Sequence, residues 1–377
     1  MRIAVVIGFL PYPANFGGAL DVWERVKGLT ALGHEVDLIV TDKINPSKEQ
    51  IAEIKQYTDG FYFVRRENNV NQLFSNLPLQ FLSRKNLAHI EINKEYDLLI
   101  LESEFCWSIT LNHSIKFNKI VIRVHNIESH YFKMLGKSST SLKEKIYYKL
   151  ESYKIKKFTT TVYNKVDRLW FISKDDLEKM NYKAKSIFMP YPINDSYIEP
   201  KVKEGSNVVF MGSLFMQNNV YGLKWYLKNV HPELVKKLLS YHFYIVGSLK
   251  ETNTSLVDEL KAYPQCTTII NTSHLDEYYE KAQVFVNPMF HGSGVKVKSV
   301  NALVNGVPLV STFTGAEGIG LNVNMYYHAE SITEFVHQIL DVFNNREKAI
   351  ECTLKAQKYL QNIHYLDVLK NELNAFK

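Results

Sequence analysis

With 377 residues, the chain is long enough for two domains that each bury a core of their own. Its three cysteines are too few and too widely spaced for a disulfide framework or a cysteine-rich metal site, which favours the reducing cytoplasm. The net charge of +6 suits an anionic partner, but no nucleic-acid-binding motif accompanies it, which excludes nucleic acid as a partner.

Apolar strand patterns alternate with helical patterns along the whole chain. The predicted strands are residues 3–7, 35–40, 61–64, 98–101, 120–124, 169–172, 208–211, 243–246, 268–270, 284–286 and 309–311. Helical patterns separate most of them, for example at residues 19–32, 143–163, 222–230 and 332–343. Because this alternation places helices on both faces of parallel strands, it predicts an α/β protein with two doubly wound parallel sheets.

A polar stretch at residues 195–207, which carries Pro200 and Gly205, is the best candidate for a linker. It divides the chain into an N-terminal domain, residues 1–196, and a C-terminal domain, residues 205–355. The remaining tail, residues 356–377, has the apolar spacing of one helix. The sequence therefore predicts two domains and a C-terminal helix.

Polar loops follow two strands of the first half. After the first strand, Gly17 and Gly18 open a helix, but they do not fit the dinucleotide-binding pattern of three spaced glycines, which disfavours a nicotinamide dehydrogenase. The segment from His125 to Glu128 follows the strand at residues 120–124. In open parallel sheets ligands bind outside the carboxyl ends of strands, where a histidine can hydrogen-bond or move a proton. The alternative is a histidine that caps the chain locally.

The segment from residue 133 to residue 165 is strongly basic, with nine lysines against Glu144 and Glu151. Aromatic and aliphatic residues interleave with the lysines at helical spacing. A helix of this composition can lie on an anionic membrane surface. The alternative is a solvated helix face whose aromatic side chains point into the core.

A loop in the second half carries Gly292 and Gly294, and a helix is predicted to begin near Val295. Lys296 and Lys298 would lie in its first turn, where the helix dipole favours acidic residues. Cations placed there suggest a bound polyanion such as a diphosphate. The alternative is an ordinary strand, loop and helix with solvated lysines.

Together these segments resemble the GT-B glycosyltransferases, specifically the large retaining, family 4-like group of bacterial polysaccharide mannosyl- and glucosyltransferases. The resemblance covers nearly the whole chain and depends on the order and spacing of its motifs. Those motifs are Gly17-Gly18 before Gly33-His34, Arg123 to Glu128, Gly212-Ser213, Gly292 to Lys298, Ala302-Leu303, Gly306 with Pro308, and Gly315 to Ile319.

The resemblance implies two Rossmann-like domains facing across a cleft, with the tail helix packed back on the N-terminal domain. It implies transfer of a sugar from a nucleotide-sugar donor to a glycan or glycoconjugate acceptor in bacterial surface polysaccharide synthesis. A lipid-linked acceptor and a peripheral position on the inner face of the membrane are expected from the basic segment alone, and the cytoplasm from the cysteines. No metal or other cofactor is expected. The catalytic residues would be His125 and Lys296. The donor-binding residues would be Gly17, Gly18, Gly212, Ser213, His291, Gly292, Gly294, Val295, Lys296, Asn301, Ala316, Glu317 and Gly318.

Two positions depart from the family pattern, because His291 and Asn301 stand where the family usually has glutamates. Asn301 can still accept a hydrogen bond through its carbonyl oxygen, but without the strengthening effect of a charge. A catalytically degraded GT-B subunit that binds a partner or a glycan is therefore the alternative function. A sugar-nucleotide epimerase is a third reading, with Glu128 and Glu317 as its acid and base.

Overall fold

The computed structural model describes residues 1–14, 16–67, 69–139, 141–193, 196–249, 254–272, 274–292 and 294–376. The predicted loop residue Ser293, the first linker residue Asp195 and the tail residue Lys377 lie outside these ranges. The chain forms two compact units, one of residues 1–192 with residues 364–377 and the other of residues 193–363. Among the described residues, no helix combines the length and the apolar character needed to cross a membrane.

The first unit is a doubly wound sheet. Its strands are β1 (Arg2–Ile7), β2 (Glu35–Asp42), β3 (Gly60–Arg65), β4 (Lys94–Leu101), β5 (Ile115–Val124), β6 (Arg168–Phe171) and β7 (Ser186–Phe188). Its helices are α1 (Gly17–Ala31), α2 (Lys48–Ile54), α3 (Leu79–Leu82), α4 (Glu128–Ser138), α5 (Leu142–Tyr163) and α6 (Lys174–Lys179), and short 3-10 turns include Val70–Phe74 and Glu104–Leu111.

All neighbouring strands of this sheet are parallel, in the order β3-β2-β1-β4-β5-β6-β7. Successive residues of β1 point to opposite faces, so that Ala4 and Val6 join one apolar core while Val5 and Ile7 join the other. Because helices cover both faces, β1 is buried from residue 3 to residue 7. The chain reverses direction across the sheet between β1 and β4, which is where such folds bind ligands.

The second unit repeats the architecture. Its strands are β8 (Ser206–Ser213), β9 (Tyr241–Ser248), β10 (Cys266–Ile270), β11 (Val284–Asn287), β12 (Leu309–Ser311) and β13 (Tyr327–His328). Its helices are α7 (Gln217–Asn229), α8 (His231–Lys237), α9 (Thr254–Lys261), α10 (Asp276–Lys281), α11 (Val297–Val304), α12 (Phe313–Ala316), α13 (Ile332–Asn344) and α14 (Arg346–Gln361). The strand order β10-β9-β8-β11-β12-β13 places the reversal between β8 and β11.

Every predicted strand is present, with shifts of a few residues at the ends, and the two parallel sheets confirm the predicted fold class. Three helix predictions differ from the structure. The helix predicted at residues 143–163 is present as α5, but the basic segment from residue 133 to residue 165 is divided between α4 and α5 instead of forming one helix. The tail is also divided, because α14 ends at Gln361 and a last helix, α15, covers Tyr365–Asn374. Helix α11 begins at Val297, so that Lys296 precedes it as its capping residue.

Candidate functional site

A network of buried charges lies at the carboxyl edge of the first sheet. Asp21 and Arg25 project from one face of α1, Glu102 directly follows β4, and Arg123 and His125 come from the end of β5. The two acids and the two arginines are buried, whereas the side chain of His125 is 21% exposed. The reversal of strand order between β1 and β4 brings α1 and the end of β4 together at this edge.

Each arginine of this network contacts a carboxylate. Arg25 donates from Nε to Oε1 of Glu102 at 2.6 Å and also forms a close ion pair with Asp21. Arg123 donates from Nη2 to Oδ1 of Asp21 at 2.8 Å and from Nε to Oδ2 at 3.1 Å. Because two carboxylates balance two guanidinium groups, the network is neutral without a charge on His125.

The imidazole of His125 is held between the two acids. Its Nε2 lies 3.2 Å from Oε2 of Glu102, and its Nδ1 lies 3.6 Å from Oδ2 of Asp21. Burial by itself would raise the pKa of each carboxyl group, but the surrounding cations outweigh it and hold both pKa values below their usual range. For Asp21 these cations are chiefly Arg123 and Arg25, and for Glu102 chiefly Arg25. Both acids therefore remain ionised and orient the histidine ring.

Asp21, Glu102 and His125 also form a possible metal-ligand set, since one ligand atom from each lies within 4.8 Å of the others. The arginines already occupy both carboxylates, however, and neutralise them. A divalent cation would have to displace Arg25 or Arg123 from these carboxylates. The two carboxylates are therefore better suited to holding the imidazole of His125 than to binding a metal ion.

A second acidic pair lies beside this network. Glu104 is buried and accepts a hydrogen bond from Oγ1 of Thr159 at 3.1 Å. Glu128, the first residue of α4, accepts from Nδ2 of Asn126 at 3.3 Å. Burial, followed by the charge of Glu104, raises the pKa of Glu128 to about 8, and burial also raises the pKa of Glu104. Glu128 is thus protonated near neutral pH.

Gly17 and Gly18 form the first turn of α1 at the same edge of the first sheet. No acidic residue stands in that turn, and the residue before the helix, Phe16, makes no side-chain capping bond in the described part of the chain. The first N–H groups of α1 are therefore available to an anion. This is the arrangement expected of the glycine loop predicted from the sequence.

In the second unit, Lys296 is buried at the start of α11. Its Nζ donates to the carbonyl oxygen of Gly294 at 2.6 Å and lies 3.8 Å from Oε2 of Glu317. The side chain of Lys296 is only 6% exposed. The structure thus places side by side two residues that the sequence analysis assigned to the donor site.

The segment from Ala316 to Gly318 packs directly on this loop. Gly318 has a φ of +82°, and a β-carbon there would lie 2.9 Å from the nitrogen and α-carbon of Val295. A larger residue at this position would therefore separate the two segments. Asn287, at the end of β11, anchors the same segment by donating to the carbonyl oxygen of Gly315 at 2.7 Å.

The end of β8 contributes a further group of polar atoms. Asn219, in the first turn of α7, donates from Nδ2 to the carbonyl oxygen of Ser213 at 3.0 Å. Its Oδ1 accepts from Nζ of Lys298 at 2.8 Å, and this ammonium lies 4.7 Å from the centre of the Phe210 ring. Burial, with the nearby charge of Lys296, lowers the pKa of Lys298 to about 7. Lys298 is therefore only partly charged near neutral pH. Gly212 packs against Asn219, which connects Lys298 to the end of β8.

The two residues that depart from the family pattern occupy different surroundings. His291 lies in the loop after β11, where its ring packs against Tyr221 with centroids 5.3 Å apart. Gly292 follows it next to the stem of Lys296. Asn301 lies in the second turn of α11 and is partly exposed. Both side chains are therefore placed within the glycine-loop region of the second unit.

Sequence analysis missed Asp21, Glu102 and Glu104 and assigned no role to Arg25 and Arg123. Two signals could have identified them. Asp21 and Arg25 are four residues apart on the face of α1 that otherwise carries apolar residues. Glu102 and Glu104 directly follow an apolar strand, at the end where ligands bind.

Comparisons with known proteins agree with this architecture. Residues 205–345 match a family model described as glycosyl transferases group 1. Over 338 residues, the chain is 37% identical to an uncharacterized 44.6 kDa protein in the cps region of Klebsiella pneumoniae, and the match covers 85% of both proteins.

Solved structures also resemble the chain over its full length. Sucrose-phosphate synthase from Thermosynechococcus elongatus superimposes with a TM-score of 0.71 at 14% identity, covering 100% of this chain and 98% of that chain. The pneumococcal O-GlcNAc transferase in complex with UDP and GlcNAc superimposes with a TM-score of 0.66 at 12% identity, covering 100% and 99%. Identities this low establish similarity of fold alone.

Proposed function

Because the chain belongs to the group 1 glycosyl transferases and has their GT-B fold, we propose that it transfers a sugar from a nucleoside-diphosphate sugar to a glycan or glycoconjugate acceptor. We further propose that the transfer retains the anomeric configuration and serves the synthesis of a bacterial surface polysaccharide. The relative from a cps region supports this last assignment. The observation that carries the proposal is the buried Lys296 within the glycine loop of the second unit.

The donor diphosphate would bind where the loop meets α11. Backbone N–H groups at the start of this helix face an anion favourably, and Lys296 supplies a nearby cation. Lys298, with its pKa of about 7, is partly charged near neutral pH, and the charge of the diphosphate would favour its protonated form. As the bond to the sugar breaks, negative charge develops on the departing diphosphate, and fixed cations stabilise that charge. Gly212, Ser213 and Asn301 are the proposed neighbours of the rest of the nucleotide. Glu317 would share the ammonium of Lys296 with the donor.

His125 is the proposed catalytic residue of the first unit. Glu102 and Asp21 orient its imidazole, and Arg25 and Arg123 keep those carboxylates ionised. In this role His125 would hydrogen-bond the donor sugar and favour the positive charge that develops at the sugar during transfer. The Gly17–Gly18 turn of α1 would face the diphosphate. No metal ion is required in this proposal, because cations and helix N-termini carry the charge stabilisation.

Nucleotide binding is the first test of this function. A thermal-shift screen against nucleoside diphosphates should stabilise the wild type with one base, since ligand at a hundredfold excess over Kd contributes about 2.7 kcal/mol. Lys296→Ala should lose most of this shift. Lys224→Ala, which changes a lysine that is 43% exposed in the same unit, is the matched control and should keep it. The shift should persist in EDTA if no metal is involved.

The alternative function, a catalytically degraded GT-B subunit, rests on His291 and Asn301 standing in place of glutamates. It predicts no shift with any nucleotide in the same screen. A shift that Lys296→Ala leaves unchanged would instead contradict the assigned donor site while leaving the family membership intact. Release of nucleoside diphosphate from the matching sugar nucleotide then separates an active enzyme from a binding protein.

We also propose that α5 attaches the protein to an anionic membrane surface. Leu142, Ile146, Leu150 and Tyr153 recur at spacings of four, four and three residues, and each is more than half exposed. The lysines of the segment flank this apolar stripe, and each lysine near anionic headgroups contributes about 1 kcal/mol. The exposed stripe argues against the alternative in which the whole apolar face packs into the core, although Ile155 and Phe158 do so.

Liposome sedimentation tests the membrane proposal. The wild type should sediment with vesicles that contain anionic lipid and stay in solution with neutral vesicles. Leu150→Ser should weaken sedimentation, because it removes apolar surface from the stripe. Leu239→Ser, which changes a fully exposed leucine of the second unit, should have no effect. Equal behaviour with both lipid compositions at physiological salt would refute the proposal.

A further inference from the structure

A group of buried polar side chains lies at the carboxyl ends of β11 and β12 in the second unit. Asn287 is the last residue of β11, Ser311 is the last residue of β12, and Ser299 lies in the first turn of α11. All three side chains are fully buried. Because a buried polar group is costly unless it is hydrogen-bonded, the partners of these side chains show what the group holds together.

The side-chain amide of Asn287 bridges two segments of the unit. Its Nδ2 donates to Oγ of Ser299 at 2.9 Å and to the carbonyl oxygen of Gly315 at 2.7 Å. Oγ of Ser299 donates to the same carbonyl oxygen at 2.7 Å. Asn287, Ser299 and Gly315 thus form a closed triangle of hydrogen bonds, which joins β11, α11 and the segment that follows β12.

The segment that follows β12 is fastened at further points. Oγ1 of Thr312 accepts from the backbone nitrogen of Gly315 at 2.9 Å and donates to the carbonyl oxygen of Met289. Oγ of Ser311 donates to the carbonyl oxygen of Asn287 at 3.1 Å. A β-carbon on Gly315 would collide with Oγ of Ser311 and with that same carbonyl oxygen. The segment therefore packs on the end of β11 without room for a side chain between them.

The two segments that Asn287 joins carry the two charged residues of the donor loop. Lys296 stands three residues before Ser299, and Glu317 stands two residues after Gly315. The charged groups of Lys296 and Glu317 lie 3.8 Å apart, and the side chain of Lys296 is only 6% exposed. A side chain that is buried to this extent takes its position from the backbone around it. The place of this ion pair therefore depends on the distance between α11 and the segment after β12, which is the distance that Asn287 fixes.

Position 287 requires an amide for this arrangement. The Nδ2 group of asparagine offers two N–H donors, whereas an ionised aspartate of the same shape offers none. Oδ1 of Asn287 is buried without a hydrogen-bond partner among the described residues. A buried acceptor without a partner lowers stability, so an asparagine at this point favours the position of the two segments over the stability of the fold.

We propose that Asn287 is a positioning residue of the donor site, which acts with Ser299 to hold the glycine loop and the segment Gly315–Gly318 at the spacing that a nucleoside diphosphate requires. The proposal rests on the proposed glycosyl transfer and adds two residues to its donor site. Both side chains are fully buried, so they act through Lys296 without touching the donor. A spacing that is set in advance avoids the cost of ordering two loops when the donor binds.

Nucleotide binding by two variants tests this assignment. Isothermal titration measures the affinity for the nucleoside diphosphate that stabilises the wild type. Asn287→Ala should weaken this affinity about fivefold to a hundredfold, because it removes two hydrogen bonds of the triangle. Ser299→Ala should weaken it about threefold to tenfold, because the bond between Asn287 and Gly315 remains.

Two controls make the same changes away from the donor loop. Asn112→Ala removes a buried asparagine of the first unit, whose Nδ2 donates to the carbonyl oxygens of Leu87 and Ile90 at 3.0 and 2.7 Å. Ser206→Ala removes a buried serine at the start of β8, in the second unit. Both variants should bind the nucleotide as the wild type does, even where their melting temperatures fall.

A double-mutant cycle separates a positioning role from a general effect on folding. Lys296→Ala removes the cation through which Asn287 is proposed to act. In that background Asn287→Ala should cause little further loss of affinity, whereas a general loosening of the unit would add its full effect. Hydrogen exchange gives a second readout. In Asn287→Ala the amides of residues 294–298 and 313–318 should exchange faster, and those of the first unit should not.

Each outcome decides for or against the positioning role. Asn287→Ala with the nucleotide affinity of the wild type would overturn that role and leave the donor site in place. Equal losses in Asn287→Ala and Asn112→Ala, or full additivity with Lys296→Ala, would overturn it as well. If Asn287→Ala does not fold, Ser299→Ala and its control Ser206→Ala decide the same question. If no nucleotide binds to the wild type, the donor assignment itself fails, and the positioning role fails with it.

Discussion

Replacing Arg25 with leucine should lower the free energy of unfolding of the first unit by about 3–5 kcal/mol, the usual result of breaking a buried ion pair from one side. Arg25 contacts Asp21, Glu102 and the hydroxyl of Tyr365. Without it, the Glu102 carboxylate keeps His125 as its one side-chain partner among the described residues, and its buried charge loses most of its compensation. Urea denaturation followed by tryptophan fluorescence measures the change.

Arg2→Leu is the control for this prediction. It also breaks one arginine–glutamate pair, with Glu35, but at side chains that are 48% and 62% exposed, where such pairs contribute about 0–1 kcal/mol. Equal losses in the two variants would contradict the buried network. Only Arg25→Leu should also impair transfer, because only Arg25 supports the carboxylates that orient His125.

The same network predicts how stability depends on pH. The pKa values of Asp21 and Glu102 are lowered in the folded state, so their stabilisation is fully present above the ordinary carboxyl values of 3.8 and 4.5. This stabilisation is lost as the pH falls through the depressed pKa values that the two carboxyl groups have in the folded protein. In Arg25→Leu, burial still raises the pKa of Glu102, but Arg25 no longer lowers it. The folded-state pKa of Glu102 is therefore less depressed, and the loss of stability on acidification should be smaller than in the wild type.

Deleting residues 364–377 should also lower the free energy of unfolding by several kcal/mol. Leu369 and Leu373 of α15 are buried in the core of the first unit, and burying each leucine contributes about 1.5–3 kcal/mol. The deletion further removes the ion pair of Glu372 with Arg168 and the hydroxyl of Tyr365 that contacts Arg25. Thermal and urea denaturation of the truncated chain measure the effect.

A pair of leucines on α15 gives a matched comparison that leaves the chain intact. Leu369→Ala should cost about 2–5 kcal/mol, because it opens a cavity in the core. Leu366→Ala makes the same change at a side chain that is 49% exposed and should cost much less. Unchanged melting of the truncated protein, or similar losses in the two variants, would show that α15 does not support the unit.

Local patterns in the sequence determined the secondary structure, the fold class and the family. Strand positions follow from short apolar runs, and helices follow from apolar residues at a period near 3.6, so both are readable without tertiary contacts. The family motifs are likewise contiguous, and the family and the fold they indicate are confirmed. The predictions of one basic helix over residues 133–165 and of one helix in the tail were wrong, because amphipathic spacing alone does not show where a helix ends.

Tertiary structure alone decided which charged residues meet. Arg123 and Asp21 are 102 residues apart, and Arg25 and Glu102 are 77 apart, and only the strand order β1-β4-β5 brings them to one edge of the sheet. The same holds for the bond between Lys298 and Asn219. Composition and spacing describe each residue next to its neighbours in the chain, whereas burial and charge pairing depend on residues that are distant in sequence. The sequence by itself therefore predicted the glycine loops and His125 as site residues, and the fold shows which side chains lie beside them.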